Sequence, residues 1–200
     1  MVPAQGQLFA LRLAVRVDDG RRAQEAVVRD LCRPPRGIAL TLAVLADTHL
    51  PRGGRRLSPE CLELIGRADL VLHAGDFTSV RTFDELSSVA PLRAVHGNMD
   101  EPELQASLPE RLVVEAGTVR IGMLHDPGRR EGRGARLVTA FPGCAAVVYG
   151  HTHLPEISRH ADVWILNPGS PTERRRAPHR SLITLEIDDE ELRAQLVALP

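Results

Sequence analysis

From residue 38 onward, apolar and polar positions alternate in blocks that read as strands and helices in turn. Ile38 to Ala46 is a strongly apolar run, with a strand expected over Ala43 to Ala46. Ser58-Pro59 then opens a helix through Ile65, with Ser at the N-cap and Pro at the first helical position. Leu70-Val71-Leu72 reads as a buried strand, a second helix starts near Thr78 or Ser79 and runs to about Ser87, and Leu92 to Val95 is a further strand. The order to this point is β-α-β-α-β.

The character changes after Glu101-Pro102. Arg111 to Glu115 and Val119 to Leu124 flank Ala116-Gly117 and predict a hairpin. A Gly-punctuated, weakly helical stretch continues to about Ala140. Ala145 to Tyr149, Glu156 to Ser158, Val163 to Leu166, Leu182 to Glu186 and Leu192 to Val197 read as strands. The pattern predicts an α/β (α+β) fold, a two-sheet β-sandwich flanked by helices. Arg33-Pro34-Pro35-Arg36-Gly37 punctuates the chain before this region. It sets off an N-terminal extension, residues 1–38, from a domain over 39–200. Asp18 to Arg36 is charge-rich, so the extension is expected to be a disordered tail or the product of a miscalled start, with a small added substructure as the third option.

Composition narrows the chemistry. The chain has 200 residues, a formal net charge of -1 and no lysine, so arginine carries all the fixed positive charge. That balance disfavours a nucleic-acid-coating or membrane-surface protein. Without lysine there is no Schiff-base chemistry and no P-loop lysine, so phosphate chemistry would need metals or arginines. Cys32, Cys61 and Cys144 are odd in number and not paired as C-x-x-C, which reads as small buried hydrophobes in a reducing compartment. No apolar run has the length of a membrane span, and the cytoplasm is the expected location.

Five short motifs each follow one of the apolar strands: Asp47-Thr48-His49, Gly75-Asp76, Gly97-Asn98-Met99-Asp100, Leu124-His125 and Gly150-His151-Thr152-His153. Loops at strand ends gather functional groups around a rigid scaffold. In an extended segment Asp47 and His49 would point to one side and could grip one ion, and His151 and His153 repeat the spacing. The donor set of Asp47, Asp76, Asn98, His49, His125, His151 and His153 is too nitrogen-rich for Mg2+ or Ca2+ and lacks thiolates. Mn2+, Fe2+, Zn2+, Co2+ and Ni2+ remain. Seven side chains exceed what one ion needs and suffice for two that share a carboxylate. With only Asp47 and Asp76 charged, two divalent ions would leave a positive surplus suited to an anionic substrate such as a phosphate ester.

The ordered set D-x-H, G-D, G-N, H and G-H-x-H resembles the calcineurin-like metallophosphoesterases, over residues from about 40 to the end. Its form, with G-N-M-D and Asn167-Pro168-Gly169-Ser170 after G-H-x-H, is similar to the small YfcE-type bacterial and archaeal phosphodiesterases. The resemblance implies the four-layer metallophosphoesterase fold. It implies a dinuclear centre, with Mn2+ the first expectation, that hydrolyses a phosphodiester or phosphomonoester through a metal-bridging hydroxide. Carried over, one metal would be held by Asp47, His49 and His153 and the other by Asn98, His125 and His151, with Asp76 bridging. Relatives with G-N-H use that histidine at the phosphate or leaving group; Met99 stands in its place here. Asp126 replaces a glycine common after the ligand histidine and is expected to start the Asp126-Pro127-Gly128 turn.

Other polar groups receive more ordinary readings. His73 and His96 are expected as hydrogen-bonded neighbours of the site, and His160 and His179 as surface groups. Arg174, in the run Arg174-Arg175-Arg176, is a candidate substrate contact alongside Asn98, since guanidinium forks match phosphate oxygens. Arg129, Arg130, Arg133 and Arg136 are expected to be solvated. A different class of function, a non-catalytic scaffold, is suggested by a eukaryotic retromer subunit that shares the fold and binds proteins. A DNA-repair nuclease and a protein phosphatase fit less well, because both would want the missing histidine. Nucleic acid is therefore not an expected partner, and a homo-oligomer is left open.

Overall fold

The computed structural model describes residues 25–30, 39–188 and 191–200. Two mixed sheets pack face to face. One holds six strands in the order β1 (Glu25–Asp30), β5 (Arg111–Ala116), β6 (Val119–Leu124), β7 (Ala146–Val148), β9 (Val163–Asn167) and β8 (Glu156–His160). The other holds β11 (Glu191–Leu199), β10 (Arg180–Asp188), β2 (Leu40–Leu45), β3 (Leu70–His73) and β4 (Leu92–Ala94). Helices α1 (Pro59–Arg67), α2 (Val80–Val89) and α3 (Pro102–Ser107) cover the five-stranded sheet, and α4 (Arg133–Ala140) covers the six-stranded one. This is the four-layer α/β sandwich that the motif pattern implied.

The layering follows from strands that are apolar on both faces. In β2, Leu42 and Val44 enter the core between the sheets, while Ala43 and Leu45 face α1 and α2. In the opposing sheet, Ile121, Met123 and Val148 fill the same central core, and Val113 and Val147 pack outward against Leu137 and Phe141 of the α4 region. Strands buried on both faces read as continuous apolar runs, which is why periodicity alone could not tell their two faces apart.

Local signals set the helix starts. The hydroxyl of Ser58 accepts from the Cys61 N–H at 3.2 Å with Pro59 at the first position, and Ser79 caps α2 by accepting from the Thr82 N–H at 3.3 Å. The expected hairpin is β5–β6, antiparallel, turning on Gly117 at φ 62°. Two of the described strands and α-helices were not anticipated. One is α3, which uses Pro102 as its first residue. The other is β1, which pairs in parallel with β5 from Glu25↔Arg111 to Asp30↔Ala116. The rest of the expected N-terminal extension, and Cys32 with it, falls outside the described residues. Cys61 and Cys144 are buried. No helix among the described residues is long and apolar enough to cross a membrane.

Candidate metal centre

All five motifs converge at one edge of the sandwich, because loops following neighbouring strands are laced together through their backbones. Asp47, His49 and Leu50 donate N–H groups to the carbonyls of Gly75, Asp76 and Phe77 at 2.9 to 3.0 Å. Gly150 N–H donates to the His125 carbonyl at 3.1 Å. The loops pass so closely that a side chain would not fit at the motif glycines. A Cβ on Gly97 would lie 2.0 Å from Asp76 Oδ1, and one on Gly150 would lie 2.9 Å from both Ala46 Cβ and the Ala74 carbonyl oxygen.

The expected extended geometry of Asp47-Thr48-His49 is not what forms. Asp47 and His49 sit at φ 55° and 46°, and Asp76, His151 and His153 at 62°, 68° and 56°. The chain must turn sharply at each strand end to aim these side chains inward. The left-handed backbone does so at a local cost that non-glycine residues rarely bear outside functional sites.

The side chains form two touching groups. On the buried side, His49 Nε2 and His153 Nε2 face each other at 3.2 Å, and His153 Nε2 lies 3.3 Å from Asp47 Oδ1. On the open side, Asn98 Oδ1 lies 3.1 Å from His125 Nε2 and 3.0 Å from His151 Nδ1. Asp76 Oδ2 sits between the groups, 3.6 Å from His49 Nε2 and 3.3 Å from His125 Nε2. Asp47, His49 and His153 are buried, whereas Asn98 and His151 are exposed, so the open face lies on their side.

These residues fit cations. Asp47 Oδ2 is buried with no hydrogen-bond partner among the described residues, a placement that is costly for a carboxylate oxygen unless a cation meets it. Asp47–His49–His153 and Asp47–Asp76–His125 each bring three ligand atoms within 4.8 Å of one another. Tautomers favour the same reading. The Ala74 carbonyl, 2.7 Å from His125 Nδ1, can only accept, so Nδ1 carries the proton and Nε2 is left to face Asp76.

Electrostatics divide the cluster. Burial, with help from the Asp76 carboxylate, raises Asp47 to about 8 against the pull of His125 and Arg175. Burial also opposes charge on His125, but its hydrogen bond to Asp76 and the field of Asp47 prevail and raise it to about 9. Burial, Arg175 and His49 together lower His153 to about 4, and His49 is lowered by burial as well. The buried pair is therefore neutral, with lone pairs free to coordinate.

Several supporting residues were not anticipated. Asp100 receives the N–H groups of Gly97 at 2.7 Å and Asp76 at 3.1 Å on Oδ2, and that of Thr78 at 2.7 Å on Oδ1. Ser170 and Thr172 donate their hydroxyls to the carbonyls of Asp47 and Thr48, each at 2.7 Å. Asn167 Nδ2 donates to the Gly150 carbonyl at 3.0 Å. The sequence displayed Asp100 and Asn167 inside quoted motifs, but their partners lie on other loops.

His73 contacts Thr48 Oγ1 through Nε2 at 3.2 Å, while His96 Nδ1 is buried with no hydrogen-bond partner among the described residues. His160 and His179 are exposed. Asp126 Oδ1 accepts the Gly128 N–H at 2.8 Å, forming the expected turn. Arg133 donates to the Tyr149 hydroxyl and the Gly128 carbonyl, and Arg136 holds the carbonyls of Pro127, Arg129 and Glu131, so these two arginines brace a loop. Arg174 turns to the Pro178 carbonyl at 3.3 Å. Its neighbour Arg175 is the member of the run whose charge acts on Asp47, His49 and His153, and it is tied to Glu173 at 3.4 Å.

Residues 40–190 match the family model of the calcineurin-like phosphoesterase superfamily domain. The chain belongs to that superfamily. A probable metallophosphoesterase of Methanocaldococcus jannaschii is 32% identical over 166 residues, 82% of this chain and 83% of the relative. Among solved structures, a predicted phosphoesterase from Streptococcus pneumoniae is similar at 26% identity and a TM-score of 0.62, covering 80% of this chain and 90% of that one. Vps29 from Entamoeba histolytica is similar at 25% identity and a TM-score of 0.65, covering 80% of this chain and all of the other. As a member of this superfamily the chain is a metal-dependent phosphoesterase, and its clustered donors are the candidate metal ligands.

Proposed function

We propose that the chain is a phosphodiesterase with a dinuclear centre. Asp47, His49 and His153 would hold one ion, Asn98, His125 and His151 the other, with Asp76 shared. The observation that carries this reading is the position of Asp76 Oδ2, within 3.6 Å of a histidine nitrogen from each group. The donor set of carboxylates, carboxamide and imidazoles, without thiolate, suits Mn2+ first, then Zn2+, Fe2+, Ni2+ or Co2+. Two such ions would lower the pKa of a bound water and offset charge building on phosphoryl oxygens.

The protein's own part is orientation and charge. Asn98 and His151, on the exposed side, face an arriving phosphate, and Arg175 adds a fixed positive charge on the buried side. No histidine stands at position 99, so the chain offers no general acid there. Esters whose leaving group departs readily as an anion are favoured, which points to phosphodiesters or monoesters with acidic leaving groups.

The test is hydrolysis of an aryl phosphodiester by metal-stripped protein after restoring each cation, with Asp76→Asn and His151→Ala as controls. Metal-dependent turnover, lost in both variants, is expected. Tight metal binding without turnover would instead support a protein-binding scaffold. That second reading draws on the exposed apolar side chains of Met99 and Leu154, which directly follow Asn98 and His153.

A further inference from the structure

A groove on the helical face of the five-stranded sheet, between α1 and α2, encloses about 490 Å3. That volume lies within the range of small-molecule sites. Its walls are apolar: Leu50, Leu57, Leu62, Leu86 and Val89. Leu62 and Val89 are 43% and 45% exposed, among the few large apolar side chains that the described surface leaves open to water. Isolated exposed apolar residues are ordinary, but two lining one concave pocket are not.

Charge in the groove is one-sided. Arg55, Arg56 and Arg81 line it against a single carboxylate, Glu85. Arg81 is already held by Glu85 at 2.8 Å, and Arg55 by Glu173 at 3.0 Å. Among the described residues Arg56 pairs with no carboxylate. Among the described residues the groove therefore offers hydrocarbon walls and a guanidinium with no carboxylate partner.

The groove is also distinct from the phosphoester site. Among the described residues it approaches that site through Leu50, which follows the buried His49, and through the Arg55–Glu173 pair. The exposed members of the metal centre, Asn98 and His151, do not line it.

We propose that this groove binds a small amphipathic anion, a medium-length hydrocarbon ending in a carboxylate. The tail lies along Leu57, Leu62, Leu86 and Val89, and the carboxylate pairs with Arg56. Arg55 is the second donor, exchanging Glu173 for the ligand. The released carboxylate is already 3.4 Å from Arg175 Nε and 3.9 Å from His153 Nδ1, so occupancy changes the charge balance behind a candidate metal ligand. The site itself does not depend on the phosphodiesterase reading.

The test uses full-length, metal-free protein and the fluorescence of anilinonaphthalene sulfonate, an aromatic anion, as reporter. Saturable one-to-one binding is expected, displaced by decanoate and not by decanol. Arg56→Glu and Leu62→Asp, both at exposed positions, should each weaken decanoate by at least about tenfold while circular dichroism stays unchanged. Decanoate at saturation should shift the Mn2+ affinity measured by titration calorimetry, and Arg55→Gln should abolish that shift. Failure of decanoate to displace the reporter, or binding indifferent to both variants, would overturn the site. An unchanged Mn2+ affinity would overturn the exchange at Arg55.

Discussion

Asp100 Oδ2 accepts the backbone N–H of Asp76 at 3.1 Å, so the residue proposed to bridge two ions is held by a carboxylate from the following loop. The same side chain serves Gly97 and Thr78, and no other group described here ties three backbone donors of the site together. Asp100→Ala would leave those N–H groups without their acceptor in a largely buried setting. A loss of at least about 2 kcal/mol in urea unfolding is expected, with weakened metal binding. Unfolding midpoints within error of the parent would refute this role.

Asp76 itself should decide stoichiometry. Asp76→Asn keeps the shape and removes the charge between the two histidine groups. Elemental analysis after dialysis should show loss of about one ion per chain, with turnover reduced at least about a hundredfold. Two ions retained at full occupancy would mean that the groups do not share this carboxylate.

Met99 makes a prediction about leaving groups. Its backbone N–H serves Asp76 Oδ1 at 2.8 Å, but its side chain is 39% exposed and has no proton to give. Met99→His should raise turnover of alkyl phosphodiesters by about a hundredfold while aryl esters change little, because general-acid help matters most when the leaving group is basic. Equal effects on both ester types would remove the case for unassisted departure.

Acid should destabilise the protein through His73. Burial holds this side chain at about 3, stacked on Phe77 with ring centroids 3.6 Å apart. Its ordinary value in the unfolded chain is about 6.5. The folded value is the depressed one, so its contribution is present above about pH 6.5 and is lost as pH falls toward 3. Unfolding of metal-free protein at pH 7 and pH 4.5 should therefore differ by about 2 to 3 kcal/mol less in His73→Gln than in the parent. A difference that does not shrink would show that His73 is not held neutral.

Gly97→Ala tests how closely the loops must pass. With only 2.0 Å between the new Cβ and Asp76 Oδ1, either the Asp76 side chain or the loop must move. Metal binding at the Asp76 position should fall by at least about tenfold. A variant that binds metal normally would show slack that the packing does not display.

Much of this was legible in the sequence because the site is built from short motifs at the ends of apolar strands. D-x-H after β2, G-D after β3, G-N after β4, the lone histidine after β6 and G-H-x-H after β7 each mark where a strand stops, and the sheets bring those ends together. Ser58 and the pair Thr78-Ser79 likewise announced α1 and α2. What the sequence concealed depends on partners distant along the chain. Asp100 looks like any acidic residue until Asp76, Gly97 and Thr78 surround it. Which of three consecutive arginines acts on the buried histidines is set by the fold around Arg175, and no composition reveals it. The same holds for Asp47 and His49, whose spacing suited an extended strand but whose loop turns left-handed.

That left-handed backbone at five candidate ligands also bears on how the protein could change over evolutionary time. Each such residue costs about 1 to 2 kcal/mol that a glycine would not. Under selection for stability alone, Asp47, His49, Asp76, His151 and His153 are among the positions where replacement is most favoured. A lineage of this fold kept only for its surface would erode at its ligands first, and a lineage that retains all five is under pressure to keep them.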